Sequence, residues 1–115
     1  MEKRVIKFRV WDSELKIWIW NIGMKTNNVL TNGKEHGRFH ILQFTGLKDK
    51  NGKEIYEGDI VSHLHSADTC VVVFEKETAM FLAREVGDEE LGFGIDNVTE
   101  VIGNIYENPT LSNLG

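Results

Sequence analysis

The sequence predicts a mainly β protein, an N-terminal antiparallel β region packed on a C-terminal barrel or roll. Three observations carry this. Val5–Trp11 alternates with a period of two, the mark of a strand with two distinct faces. Val71-Val72-Val73-Phe74-Glu75 is dense in β-branched residues, which favour a pleated surface. Between them, Leu42–Val61 carries three glycines, an Asn-Gly pair and a Gly-Asp pair among short apolar runs. That stretch turns twice and then enters a buried strand.

The elements follow in order. In the first strand Ile6, Phe8 and Val10 fall on one face, and Lys7, Arg9 and Trp11 on the other. Asp12-Ser13-Glu14 are turn formers. Ile17–Ile22 is aromatic and β-branched, so it reads as the second arm of a hairpin. Gly23–Gly37 is polar and weakly patterned and reads as a long loop with room for short β pieces around Asn28–Leu30. Arg38–Phe44 alternates Phe39, Ile41 and Gln43 with His40, Leu42 and Phe44. Apolar groups on both faces predict a mostly buried strand, ended by Gly46.

Asn51-Gly52 suits a tight hairpin turn, because glycine takes positive φ without steric cost. Gly58-Asp59 is a second turn, and Ile60-Val61 starts a strand. Thr78–Val86 holds good helix formers, but its length and β surroundings predict another strand. Gly87–Gly94 reads as a loop. Val98–Tyr106 is a last strand with Gly103 marking a bulge or a close approach, and Pro109 stops it. Strands at this spacing suit a small barrel or roll.

With 115 residues the protein is long enough to bury a core without staples. Its 41% apolar and 27% charged content is that of a folded soluble domain. Cys70 is the sole cysteine, which rules out an internal disulfide and fits a reducing compartment. The start is basic, but Lys7, Arg9 and Asp12 interrupt any apolar run after it, so neither a signal peptide nor a membrane span is expected, and the location follows as cytoplasmic. The net charge of −5 opposes binding to nucleic acid or an anionic membrane. It is unevenly spread: residues 1–20 balance at +2, and residues 84–100 at −5.

Three blocks resemble a known family in order and spacing: Ile6–Asp12 (IKFRVWD), Phe44–Val61 (FTGLKDKNGKEIYEGDIV) and Glu100–Pro109 (EVIGNIYENP). They are similar to the YopX family of phage- and prophage-encoded proteins. The resemblance implies an N-terminal β region over residues 1–55 and an SH3-like C-terminal roll over 56–115. The family supplies no catalytic residues, and fold alone licenses no function.

Candidate chemistry is sparse. His63, His65 and Cys70 could ligate a metal if His36 and His40 converged with them, but loop histidines beside turn residues explain the spacing more simply. Glu54, Glu57 and Asp59 could form an acid–base pair if one carboxyl were raised; as a turn cap, Asp59 needs no such role. No serine sits in a G-x-S-x-G context, and the glycines make neither G-x-G-x-x-G nor a P-loop. No catalytic residue, cofactor or metal is assigned, and the protein is read as a non-enzyme. The interaction candidates are Trp11, Trp18 and Trp20 with Arg9: a cross-strand aromatic cluster can anchor a protein partner. The expected activity is protein–protein interaction or self-association. The alternative is a nucleic-acid-binding small β-barrel, in which the same rings stack bases beside Lys3, Arg4, Lys7, Arg9, Lys16 and Lys25.

Overall fold

A computed structural model describes residues 6–20, 37–62, 69–86, 92–96 and 98–112. Among the described residues nine strands follow in order: β1 (Phe8–Asp12), β2 (Ile17–Ile19), β3 (Phe39–Lys48), β4 (Glu54–Tyr56), β5 (Asp59–Ser62), β6 (Cys70–Glu75), β7 (Met80–Glu85), β8 (Gly92–Gly94) and β9 (Glu100–Asn104). A single helical turn, α1 (Pro109–Ser112), comes after them. The strands form two sheets, in the orders β2-β1-β3-β4 and β8-β7-β6-β5-β9. The protein is all-β, as its alternation and β-branched runs predict.

The protein divides into two compact units, Met1–Phe44 and Thr45–Gly115. The sequence blocks place the boundary at 55/56 instead. Segment 45–55 goes with the second unit because Asp49 and Lys50 are hydrogen-bonded to the β9 region, at Val101 and Thr99.

In the first unit β1 lies between β2 and β3, antiparallel to both. Trp11 stands opposite Trp18 on one side and His40 on the other. The β1–β2 turn is closed by the Asp12 side chain, whose Oδ1 accepts from the Glu14 and Leu15 N–H groups at 3.0 and 3.1 Å. Lys16 completes it at φ 59, a left-handed conformation that side chains other than glycine seldom adopt.

In the second unit β5–β8 run as a meander, and β9 returns beside β5. The core is Ile55, Val61, Cys70, Val72 and Ala83, with Phe93, Ile95 and Val101 packed against it. Cys70 sits opposite Val61 and on the same face as Val72, so it serves as a small apolar core residue.

Several local expectations change. Gly46 does not end β3: it takes φ 88 within the strand, while the Thr45 hydroxyl donates to the Ile55 carbonyl and accepts from the Leu47 N–H. The side chain thus ties the backbone on both sides of Gly46. A short strand, β4, fits between the two turns of the central segment, and β8 fits inside the stretch read as a loop. Strand β9 ends at Asn104, not at Pro109. Asn104 Oδ1 captures the Tyr106 and Glu107 N–H groups, which turns the backbone first, and Pro109 opens α1, where its missing N–H costs nothing.

Gly103 shows both features its mid-strand position suggests. Ile60 pairs with Gly103 but Val61 with Val101, leaving Ile102 as the extra residue of a bulge. A Cβ on Gly103 would lie 2.6 Å from Asn108 Oδ1, the atom that accepts from the Asn104 N–H.

Candidate functional site

The register fixes which side chains share a face of the first sheet. Arg9, Trp11, Trp18, His40 and Leu42 stand on one face; Phe8, Val10, Asp12, Ile17, Ile19, Phe39, Ile41 and Gln43 stand on the other.

On the first face, the rings come together as the hairpin predicts. The Trp11 and Trp18 centroids are 4.9 Å apart, tilted by 59°, and Trp18 and Trp20 follow at 6.1 Å. The Arg9 guanidinium lies 4.1 Å over the Trp18 ring, a cation–π contact. At the far end Lys7 Nζ lies 4.8 Å over Phe44. Arg9, Trp11, Leu42 and Phe44 are buried, Trp18 is half-buried, and Trp20 is 51% exposed. The four interaction candidates therefore separate: Arg9 and Trp11 fill the interior, and Trp20 reaches solvent.

The second face is less buried than expected. Phe8, Ile17 and Ile41 are 39%, 48% and 49% exposed, although apolar groups on both faces predict a mostly buried third strand. Leu15 and Ile6 are exposed nearby in sequence. The physical reason lies in the ring stack: Trp11, Trp18 and Arg9 close the opposite face. On this same face Val10, in the middle of β1, and Asp12, at its end, are buried. Asp12 is gripped by the Arg38 fork, Nε to Oδ1 at 2.9 Å and Nη2 to Oδ2 at 3.0 Å. Those bonds, against an opposing effect of burial and with help from the Leu15 and Glu14 N–H groups, hold its carboxyl down to about 2. Arg38 also reaches Glu14, Nη1 to Oε2 at 3.3 Å, so the charges of this face gather at its turn end, away from Phe8 and Ile41. Sequence reasoning misses this face because alternation reveals two apolar faces without saying which is covered.

The acidic groups of the central segment are backbone clamps. Asp49 Oδ1 accepts from Asn51 and Lys53 N–H at 2.8 and 2.9 Å, and Oδ2 accepts from Val101 N–H at 3.0 Å. Burial pushes this carboxyl up, but the three donors outweigh it and leave it below the usual value. Asp59 is buried, and its Oδ2 accepts from the Tyr56 N–H at 2.8 Å, so it caps its own turn. Glu54 meets the Tyr56 hydroxyl at 3.4 Å. Of the histidines, His40 lies in β3, whereas His36, His63 and His65 fall outside the described residues, as do Lys3, Arg4, Lys25 and the stretch around Asn28–Leu30. Among the described residues no three His, Cys, Asp or Glu side chains gather as a metal site. No described helix is long and apolar enough to cross a membrane.

Comparison with known proteins agrees with the three sequence blocks. The family model described as YopX protein matches residues 7–112. The crystal structure of protein EF1440 from Enterococcus faecalis is similar over 96% of this protein and 99% of that one, with 26% identity and a TM-score of 0.66. No curated protein matches the sequence.

Proposed function

This chain belongs to the YopX family, and from that premise we propose that it is a non-enzymatic accessory protein, encoded by a phage or prophage and acting in the cytoplasm by binding another protein. The observation that carries the reading is the exposed face of the first sheet, where Phe8, Ile17 and Ile41 stand on three adjacent strands. Scattered exposed apolar residues need no explanation, but several on a single face, here spaced around the buried Val10, are a feature of contact surfaces. The partner surface that fits is mainly apolar, with the Arg38 pairs to Asp12 and Glu14 confined to the turn end of this face. Trp20 gives a second anchor at the open end of the ring stack. The strand order of the second unit, with its last strand returned beside its first, supports reading that unit as an SH3-like roll that serves as a frame.

The test is a photo-crosslinking residue at Ile41, with the same group at Lys76 in the β6–β7 turn as control. The expected result is a discrete protein adduct from position 41 alone, lost in an Ile17→Asp variant of unchanged circular dichroism. Light scattering reports whether that adduct is a second copy of the same protein. Equal yields at both positions overturn the reading. A salt-sensitive shift with single-stranded DNA would favour the nucleic-acid alternative, which the net charge of −5 opposes.

A further inference from the structure

The turn that carries Asn51-Gly52 has a chemical capability separate from partner binding. Asparagine is thermolabile, and its side-chain amide is most open to attack when the next residue has no Cβ to hinder the backbone nitrogen. Asn51 is exposed, and a Cβ placed on Gly52 would meet nothing within 4 Å. The reacting atoms are nevertheless tied. The Gly52 N–H donates to the Asp49 carbonyl at 2.9 Å. The Asn51 N–H donates to Asp49 Oδ1 at 2.8 Å, and Asn51 Nδ2 donates to Glu100 Oε2 at 3.1 Å.

We propose that Asn51 is a guarded deamidation site, whose amide is protected while the Asp49–Gly52 turn is closed and is lost when the turn opens. In the open turn the Gly52 nitrogen gives up its proton and attacks Asn51 Cγ. A Cγ–N bond forms, the Cγ–Nδ2 bond breaks, and the side-chain nitrogen leaves as ammonia. Water then cleaves the resulting succinimide in one of two ways. Cleavage of the new Cγ–N bond leaves aspartate; cleavage of the original peptide C–N bond leaves an isoaspartyl linkage that runs through Cβ and Cγ. The net change is gain of one water and loss of one ammonia.

The two products affect the fold differently. Aspartate keeps the backbone but replaces the donor to Glu100 with a second carboxylate, which repels it. The isoaspartyl linkage adds a methylene to the backbone between the Asn51 and Lys53 N–H groups. In the unmodified turn both groups converge on one oxygen of Asp49, and the lengthened backbone cannot keep both. Asp49 is buried, so losing a donor leaves a desolvated carboxylate short of partners. Its link to Val101 in β9 is then strained from the turn side.

The experiment incubates the full-length protein in mildly alkaline buffer, folded and in denaturant, and follows the 51–52 peptide by mass spectrometry with fragmentation that separates aspartyl from isoaspartyl. The expected result is conversion at least roughly tenfold slower in the folded protein, as a reaction gated by local opening requires. The isoaspartyl protein is expected to melt below both the unmodified protein and an Asn51→Asp variant, which carries the charge without the extra methylene. A Glu100→Ala variant is expected to convert faster than the unaltered folded protein. Equal rates folded and unfolded, no conversion in denaturant, or an isoaspartyl form that melts with the Asn51→Asp variant overturns the proposal.

Discussion

In the first unit Asp12 takes an arginine as well as two backbone N–H groups, and the hairpin beside it is covered by rings: Trp11 on Trp18, and Arg9 over Trp18. In the second unit the buried acids are served by the backbone. Asp49 and Asp59 accept from backbone N–H groups, and Asn104 does the same work at the end of β9. The apolar residues follow this division only in part, since Val10 is buried in the first unit and Phe74, Met80 and Ile102 are exposed in the second. Ile55, Ile60, Val61 and Val72 are fully buried in the second unit, while Phe8, Ile17 and Ile41 of the first remain open. The difference teaches where each kind of residue is spent. A block rich in glycine and acid, which resembles an active loop in composition, builds a frame whose backbone is tied at each turn. A strand pair rich in aromatic and aliphatic groups covers one face and leaves Phe8, Ile17 and Ile41 exposed on the other.

The largest expected effect tests that division directly. Ile55→Ala removes atoms from a closed core and is expected to cost about 2–5 kcal/mol in denaturant unfolding. Ile41→Ala, on the open face, should stay within about 0.5 kcal/mol. A large loss at Ile41 would mean that its face is part of a core after all.

Next in size is the joint at β9. Gly103→Ala brings a Cβ against Asn108 and is expected to cost about 1–3 kcal/mol, the range for overpacking. Asn108→Gly removes the obstructing amide and gives up its bond to Asn104 N–H. The double variant should therefore lose less than the two single losses added together. Strict additivity would assign the cost of Gly103→Ala to the bulge backbone instead.

Acid acts on both kinds of carboxylate in the same direction. Asp12 and Asp49 both titrate lower in the folded protein than the ordinary aspartate value. Their stabilising effect is thus complete above the unfolded value of about 3.9 and disappears as pH falls through the folded one. For Asp12 that window runs down to about 2. Urea unfolding across it should show stability falling with pH in the unaltered protein. Asp12→Asn should flatten the slope only in part, because Asp49 still titrates. An unchanged slope would show that the Arg38 pair contributes nothing differential to folding.

Much of this was legible in the residues. The hairpin Phe8–Ile19, the strand Cys70–Glu75, the turn at Gly52 and the bulge at Gly103 follow from alternation, β-branching and glycine placement. The meeting of Trp11, Trp18 and Trp20 follows from hairpin register. Other features were hidden for physical reasons. Strands β4 and β8 have three residues each, too few for a period to show. The end of β9 depends on a side-chain oxygen of Asn104 reaching two residues ahead, which competes invisibly with the louder signal of Pro109. The open face could not be read because Ile41 and Leu42 are equally apolar, and only packing decides which is covered. The three-donor grip on Asp49 joins residues 52 positions apart, a contact that no local pattern encodes.

The smallest effect bears on how the first hairpin is held. A double-mutant cycle on Trp11 and Trp18, each changed to Leu, is expected to give a coupling of about 0.5–1.5 kcal/mol beyond the loss of buried area. Trp18→Leu also takes the ring from beneath Arg9, so a second cycle, Arg9→Met with Trp18→Leu, measures that contact by itself, at about 0.5–2 kcal/mol. If both couplings are found, the ring stack is a structural seal and only its exposed end at Trp20 remains for a partner. If both vanish, burial alone holds the hairpin, and the contrast with the hydrogen-bonded turns of the second unit reduces to which residues happen to be covered.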